Sequence, residues 1–178
     1  LIFRKYRYIE KRLIPNQSLG NAPNSERKVF SLLEVCKNTR IKFGFHSLNL
    51  PKHSYKSMAE IDFLLLHDTG ILVLEIKGGR ISCGEDGVWT TTDRYGKDYR
   101  LVSNPWEQSK SAMFAFKKRL EEDESISDIV PHMSFGYGVI FPDCSWTAFS
   151  VERDKVTLAD ENTVRSETLF NKYTHDLM

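Results

Sequence analysis

The sequence predicts an α/β fold, a central mixed β-sheet sandwiched between helices, on three observations. Helix-period apolar stripes occur twice, near residues 25–36 and 103–120. Short apolar runs bounded by turn residues lie between and after them. Neither a dinucleotide-binding glycine fingerprint nor a phosphate-cradling P-loop is present, which excludes a doubly wound nucleotide fold.

The elements follow in chain order. Asn16 to Asn24 is rich in Asn, Gly and Pro and reads as a loop. A helix follows, capped by Asn24 or Ser25, with Val29, Phe30, Leu32, Leu33 and Cys36 on one stripe. Phe43 to Leu50 reads as a strand stopped by Pro51, and Lys52 to Ser57 as a polar connection. Met58 to His67 and Ile71 to Lys77 are strands joined by the turn residues Asp68 and Thr69. Arg80 to Thr92 suits a hairpin around Glu85-Asp86-Gly87, and Arg94 to Arg100 a polar loop. A long helix starts at Ser103, with Pro105 in its first turn and Met113, Phe114, Phe116 and Leu120 on its apolar stripe. Phe135 to Phe141 is a further strand, and a weaker strand signal lies at Trp146 to Val151. Residues 1–24 are expected to be a basic arm and loop, 25–142 the core, and 143–178 an extension leading towards a further domain.

The chain has 178 residues, enough for one domain with a real core. With 40% apolar, 28% charged and 12% aromatic residues it is no disordered tail, collagen-like rod or disulfide-stapled miniprotein. No run approaches the ~20 apolar residues of a membrane span, and no signal peptide is visible. Because it opens at Leu1 and not at Met, it is read as a fragment, and no targeting inference is drawn from that end. Cys36, Cys83 and Cys144 form no paired pattern and read as reduced thiols of a cytoplasmic protein. The net charge of +1 hides an asymmetry: residues 1–57 carry 12 Lys/Arg against 3 Asp/Glu. A polyanion-facing surface or a dipole that cancels on folding would both account for it.

The chemically informative feature lies in the two strands around Asp68-Thr69. Ile71 to Lys77 is apolar on both faces apart from Glu75 and Lys77, so it belongs deep in a sheet. A tight turn at Asp68-Thr69 would set Asp62 directly opposite Glu75, with both carboxylates on one face and Lys77 two residues further along it. In the same register Glu60 opposes Lys77. Buried, facing carboxylates are costly unless paired or bound to a cation. Hard oxygen ligands select Mg²⁺ or Mn²⁺. A structural ion pair with Lys77 is the competing account. His46, His53, His67, His132 and His175 lack metal-ligand spacing and are expected to have no catalytic part. Trp89, Trp106 and Trp146 suit a core better than base stacking. Arg80, Arg94, Lys97 and Arg100 flank the hairpin, where they could grip phosphates or simply face solvent.

Glu26, Ala59-Glu60-Ile61-Asp62, Gly70 to Gly78, Trp89 and Asn104-Pro105-Trp106-Glu107-Gln108 come in an order that resembles the NERD (nuclease-related) domain. That family is placed among the PD-(D/E)xK, restriction-endonuclease-like nucleases. The resemblance covers about residues 25–141; Ser25 stands where the family commonly has Gly. It implies Asp62 and Glu75 as metal-binding acids, the Ile76 carbonyl as a further ligand and Lys77 as the catalytic lysine. It also implies Glu26 as the helix glutamate completing the acidic cluster and a candidate ligand, and Gln108 as the helix glutamine facing the site. The expected function is Mg²⁺- or Mn²⁺-dependent hydrolysis of phosphodiester bonds, with DNA as the expected partner and Arg80 and Arg94 as substrate contacts. Such domains occur fused to helicase, kinase or DNA-binding modules, so the alternative is a non-catalytic nucleic-acid-binding or docking module of a larger DNA-processing protein. No membrane partner is expected.

Overall fold

The computed structural model describes residues 12–50, 59–151 and 153–178. In chain order they form β1 (Arg12–Ile14), α1 (Asn24–Val35), β2 (Ile41–Leu50), β3 (Ala59–His67), β4 (Gly70–Ile76), β5 (Arg80–Cys83), β6 (Trp89–Thr92) and β7 (Asp98–Arg100). There follow α2 (Pro105–Glu121), β8 (Ser134–Ile140), β9 (Leu158–Ala159), α3 (Glu161–Val164) and α4 (Glu167–Asp176). The cationic arm before Arg12, His53 and the Lys52–Ser57 connection lie outside the described residues.

Six strands make a mixed sheet in the order β1-β2-β3-β4-β8-β9, and β5-β6-β7 make a small antiparallel sheet beside it. The apolar strand β4 is central and buried along its whole length, as its uninterrupted Ile-Leu-Val-Leu run requires. Alternation along β4 divides the core. Leu72, Leu74 and Ile76 pack with Val29, Phe30 and Leu33 of α1 and with Phe170 and Tyr173 of α4. Ile71 and Val73 pack with Ala112 and Met113 of α2. Helices therefore cover both faces, which is the expected sandwich and is consistent with a restriction-endonuclease-like architecture. Ser109 pins α2 to the sheet by donating to the Gly138 carbonyl at 2.9 Å. Among the described residues, no helix is long and apolar enough to cross a membrane.

Several local expectations need correction. The N-cap of α1 is Pro23, with no side-chain cap from Asn24 or Ser25. The presumed loop 94–100 turns at Gly96, whose φ of +83° suits glycine, and then returns as the fully exposed strand β7. Its lack of a buried side hid it from any search for apolar alternation. The weak strand at 146–151 does not form; only an isolated Ser150–Arg153 bridge is present there. The sheet edge it would need beside β8 is taken by β9. Trp146 instead turns inward onto Trp89, with ring centroids 5.4 Å apart and nearly parallel. Trp89, Trp106 and Trp146 are all buried in one cluster with Phe141, so their role is packing, as expected.

Candidate active site

The β3–β4 hairpin turns at Asp68-Thr69 in the expected register: Leu66 pairs with Ile71, Leu65 with Leu72, Leu64 with Val73 and Phe63 with Leu74. The ladder stops there. The next position would pair Asp62 with Glu75, and at that point the strands part. On its other side β3 pairs with β2 at His46–Phe63 and again at Leu48–Ile61, but not between Ser47 and Asp62. Ser47 has φ +53°, a left-handed conformation unfavourable for a residue with a Cβ. Asp62 is thus released by both neighbouring strands. Its Oδ2 takes up one freed donor, accepting from the Ile76 N–H at 2.7 Å.

Glu75 is 1% exposed. Its Oε1 is ion-paired with Lys77 Nζ. Lys77 therefore pairs with the acid two residues before it on β4. The ion pair between Glu60 and Lys77 that the register permits is replaced by this contact; Glu60 is exposed.

Glu26 reaches this group because α1 begins against the end of β4. A Cβ added at Gly78 would lie 2.8 Å from Ser25 Oγ, so glycine there admits the first turn of α1. Asp143 fastens the junction, accepting from the Gly79 N–H at 3.0 Å while pairing with Lys28 of α1. Glu26 Oε2 bonds His46 Nε2 at 2.8 Å. His46 is buried and stacked on Phe63, with centroids 4.6 Å apart and an interplanar angle of 14°.

Electrostatics ties the acids together. Burial raises the Asp62 carboxyl first, and the Glu75 charge next. The Ile76 bond and the Lys77 ammonium oppose them, Glu26 adds a little, and the result is about 8. Burial also raises Glu75, opposed by Lys77 and reinforced by Glu26 and Glu60. A divalent cation would relieve both effects; Asp62, Glu75 and the Ile76 carbonyl, a set of hard oxygen donors, are the groups that could hold it. Among the described residues, no group of three or more His, Cys, Asp or Glu side chains is gathered closely enough to hold a metal. Glu26 is thus near enough to act on both acids by its charge, yet does not complete a three-carboxylate set in this arrangement.

The remaining candidates lie around this centre. Gln108 is half-buried in the second turn of α2, its Oε1 accepting from Ser103 Oγ at 3.5 Å; no hydrogen bond joins it to Asp62, Glu75 or Lys77. Arg80 is exposed at the start of β5. Arg94 is exposed at the β6–β7 turn, its guanidinium 4.9 Å above the Tyr95 ring. Sequence reasoning missed His46 and Asp143. Each reaches across the fold to a partner remote in sequence, and no local spacing announces such a contact.

Neither a search of curated proteins nor one of solved structures returns a match. Comparison with protein-family models matches residues 23–142 to the nuclease-related domain, NERD. That span runs from the residue before α1 to just past β8 and contains Glu26, Glu60, Asp62 and Glu75, while Asp143 lies one residue beyond it. With two-thirds of its length in the match, the chain belongs to the nuclease-related domain family.

Proposed function

We propose that the chain is a Mg²⁺- or Mn²⁺-dependent nuclease that hydrolyses phosphodiester bonds in DNA. The observation that carries this reading is the convergence of Asp62, Glu75 and Lys77 where β3 and β4 part, with two carboxyl groups raised by burial and crowding. Asp62 and Glu75, with the Ile76 carbonyl, would hold the cation. When bound, the cation supplies Lewis-acid stabilisation of the phosphoryl oxygens and acidifies water. Lys77 holds the attacking water in line with the phosphorus and stabilises negative charge as it builds on the phosphoryl group. The new bond joins the water oxygen to phosphorus, the bond from phosphorus to the leaving oxygen breaks, and that oxygen gains a proton as the water loses one. Glu26 and Gln108 border the water and substrate side, and Arg80 and Arg94 contact backbone phosphates.

Family membership supports a nuclease-related role. The test is cleavage of DNA by the purified chain with Mg²⁺ or Mn²⁺. Glu75→Ala and Lys77→Ala are each expected to lower the rate at least ~100-fold, the scale of losing one charge-stabilising group. Equal cleavage by wild type and variants would identify a contaminant and remove the support. A second reading is a non-catalytic nucleic-acid-binding or docking module, favoured by the Glu75–Lys77 ion pair, which neutralises the pair without any metal. It predicts salt-dependent DNA binding with no cleavage.

A further inference from the structure

We infer that His46 is a positioning residue of the site: it holds the Glu26 carboxylate beside the site, where its negative charge strengthens divalent-cation binding by Asp62 and Glu75. The inference rests on the nuclease reading above and adds a residue that lies outside the acid–acid–lysine set.

The His46 side chain is 1% exposed and that of Glu26 13%. A buried imidazole usually finds partners for both nitrogens or stays out of the core. Here Nε2 meets Glu26 Oε2 at 2.8 Å, while Nδ1 is buried without a partner. An unmatched lone pair costs less than an unmatched N–H, so the proton belongs on Nε2, donated to Glu26. The ring is held in its plane by stacking on Phe63 and by Phe30 of α1, with the Phe30 centroid 5.6 Å away. Two aromatic contacts thus fix the plane, and the plane fixes the direction of the donated bond. Glu26 starts from the first turn of α1 and Asp62 from β3, elements joined here by His46 on β2. Without the bond, Glu26 has water as an alternative, and its charge would swing away from the two acids. A mere filler of the apolar layer would need no polar atom; phenylalanine would fill this position without leaving one orphaned.

The test uses His46→Phe, which keeps the stacked ring and removes the donor, and His46→Gln, whose amide reaches about as far as Nε2 and restores it. The first readout is the Mn²⁺ dissociation constant of the protein without DNA; the second is the thermal midpoint without metal. H46F is expected to weaken Mn²⁺ binding by about 10-fold, the scale of losing one nearby negative charge and not a ligand. It should do so with an undiminished midpoint. H46Q should recover most of the affinity. In a Glu26→Gln background, H46F should add nothing, since the two residues act through one bond. Unchanged Mn²⁺ affinity in H46F, or an H46F effect that persists undiminished in E26Q, would overturn the inference while leaving the nuclease reading intact. Absence of Mn²⁺ binding by wild type would instead overturn both. If H46F does not fold, H46Q against E26Q decides by the same affinity criterion.

Discussion

The β3–β4 hairpin has two halves built on one pair of strands, and they behave as opposites. Near the turn, Phe63 to Leu66 and Ile71 to Leu74 are laddered, apolar and buried. One residue further out, Asp62 and Glu75 face each other unpaired, with raised proton affinities and an ammonium group beside them. The apolar half gives the stability; the charged half holds an electrostatic conflict that the backbone alone would not tolerate. Rigid ladders on one side of the break, and the α1 junction on the other, keep the conflicting groups from drifting apart. Functional sites are commonly built this way, with strain or repulsion held by a framework that does not share it.

The two halves should respond to mutation with opposite signs. Leu74 is fully buried and packs among α1 and α4 side chains. Leu74→Ala should cost about 2–5 kcal/mol, since it removes buried methyl groups and leaves a cavity. Urea denaturation of the metal-free protein measures this as a lower midpoint at an unchanged slope. If L74A cost less than the charged-half variants gain, the division of labour proposed for the hairpin would be wrong.

In the charged half, Asp62→Asn should stabilise the metal-free protein at pH 8 by roughly 1–3 kcal/mol, because an amide can still accept from the Ile76 N–H without carrying charge. The sign follows from the raised carboxyl. Below its ordinary value of 3.8, Asp62 is protonated in folded and unfolded chains alike and contributes no pH dependence. Between 3.8 and about 8 only the unfolded chain ionises it, so wild-type stability falls as pH rises through that window. Above about 8 the folded chain ionises too and the decline stops. D62N should flatten this dependence, as measured by thermal midpoints across pH.

A metal that binds here must displace the Asp62 proton, so its apparent affinity should grow as pH rises towards 8. Saturating Mn²⁺ should raise the thermal midpoint at pH 8 by an amount equivalent to about 2–3 kcal/mol at a hundredfold excess over the dissociation constant. At pH 6 the same concentration should give a much smaller rise. A midpoint that responds equally at both values would mean that any bound metal sits away from Asp62.

Much of this hairpin was legible in the sequence because its information is local. The turn residues Asp68-Thr69 fixed the register, and the all-apolar run around Glu75 marked the buried strand. The helices α1 and α2 were legible from their apolar stripes; α3 and α4, which bring Val164, Phe170 and Tyr173 to the core, lie in the stretch expected to be an extension and were not. What escaped was set by distant partners. β1 and β9 are short strands that exist because a sheet edge was available to them. β7 has no apolar face. The contacts of Glu26 with His46 and of Asp143 with Gly79 join residues 20 and 64 positions apart. The parting of the strands at Asp62 was also hidden: a carboxylate in a strand does not announce that its own ladder bonds will be given up.

Ser47 supplies the smallest and most local test of that parting. It lies opposite Asp62 across the β2–β3 boundary, at φ +53°, with its neighbours His46 and Leu48 both paired to β3. A left-handed conformation costs an ordinary residue about 1–2 kcal/mol. Glycine escapes that cost but loses about 0.5–1 kcal/mol more chain entropy on folding. Ser47→Gly should therefore change stability by about 0–1.5 kcal/mol, in the stabilising direction. Ser47→Val should destabilise by a similar or larger amount, since a β-branched side chain tolerates positive φ least. The pair of denaturation midpoints separates two accounts of the break. If Ser47 is held left-handed to free Asp62 from β2, S47V either unfolds the break or pushes Ser47's position back into the ladder, and the Asp62-dependent pH response should shrink with it. If the left-handed turn is incidental, both variants should leave the pH response of the protein as D62N finds it in wild type, and the release of Asp62 would then rest on the β4 side alone.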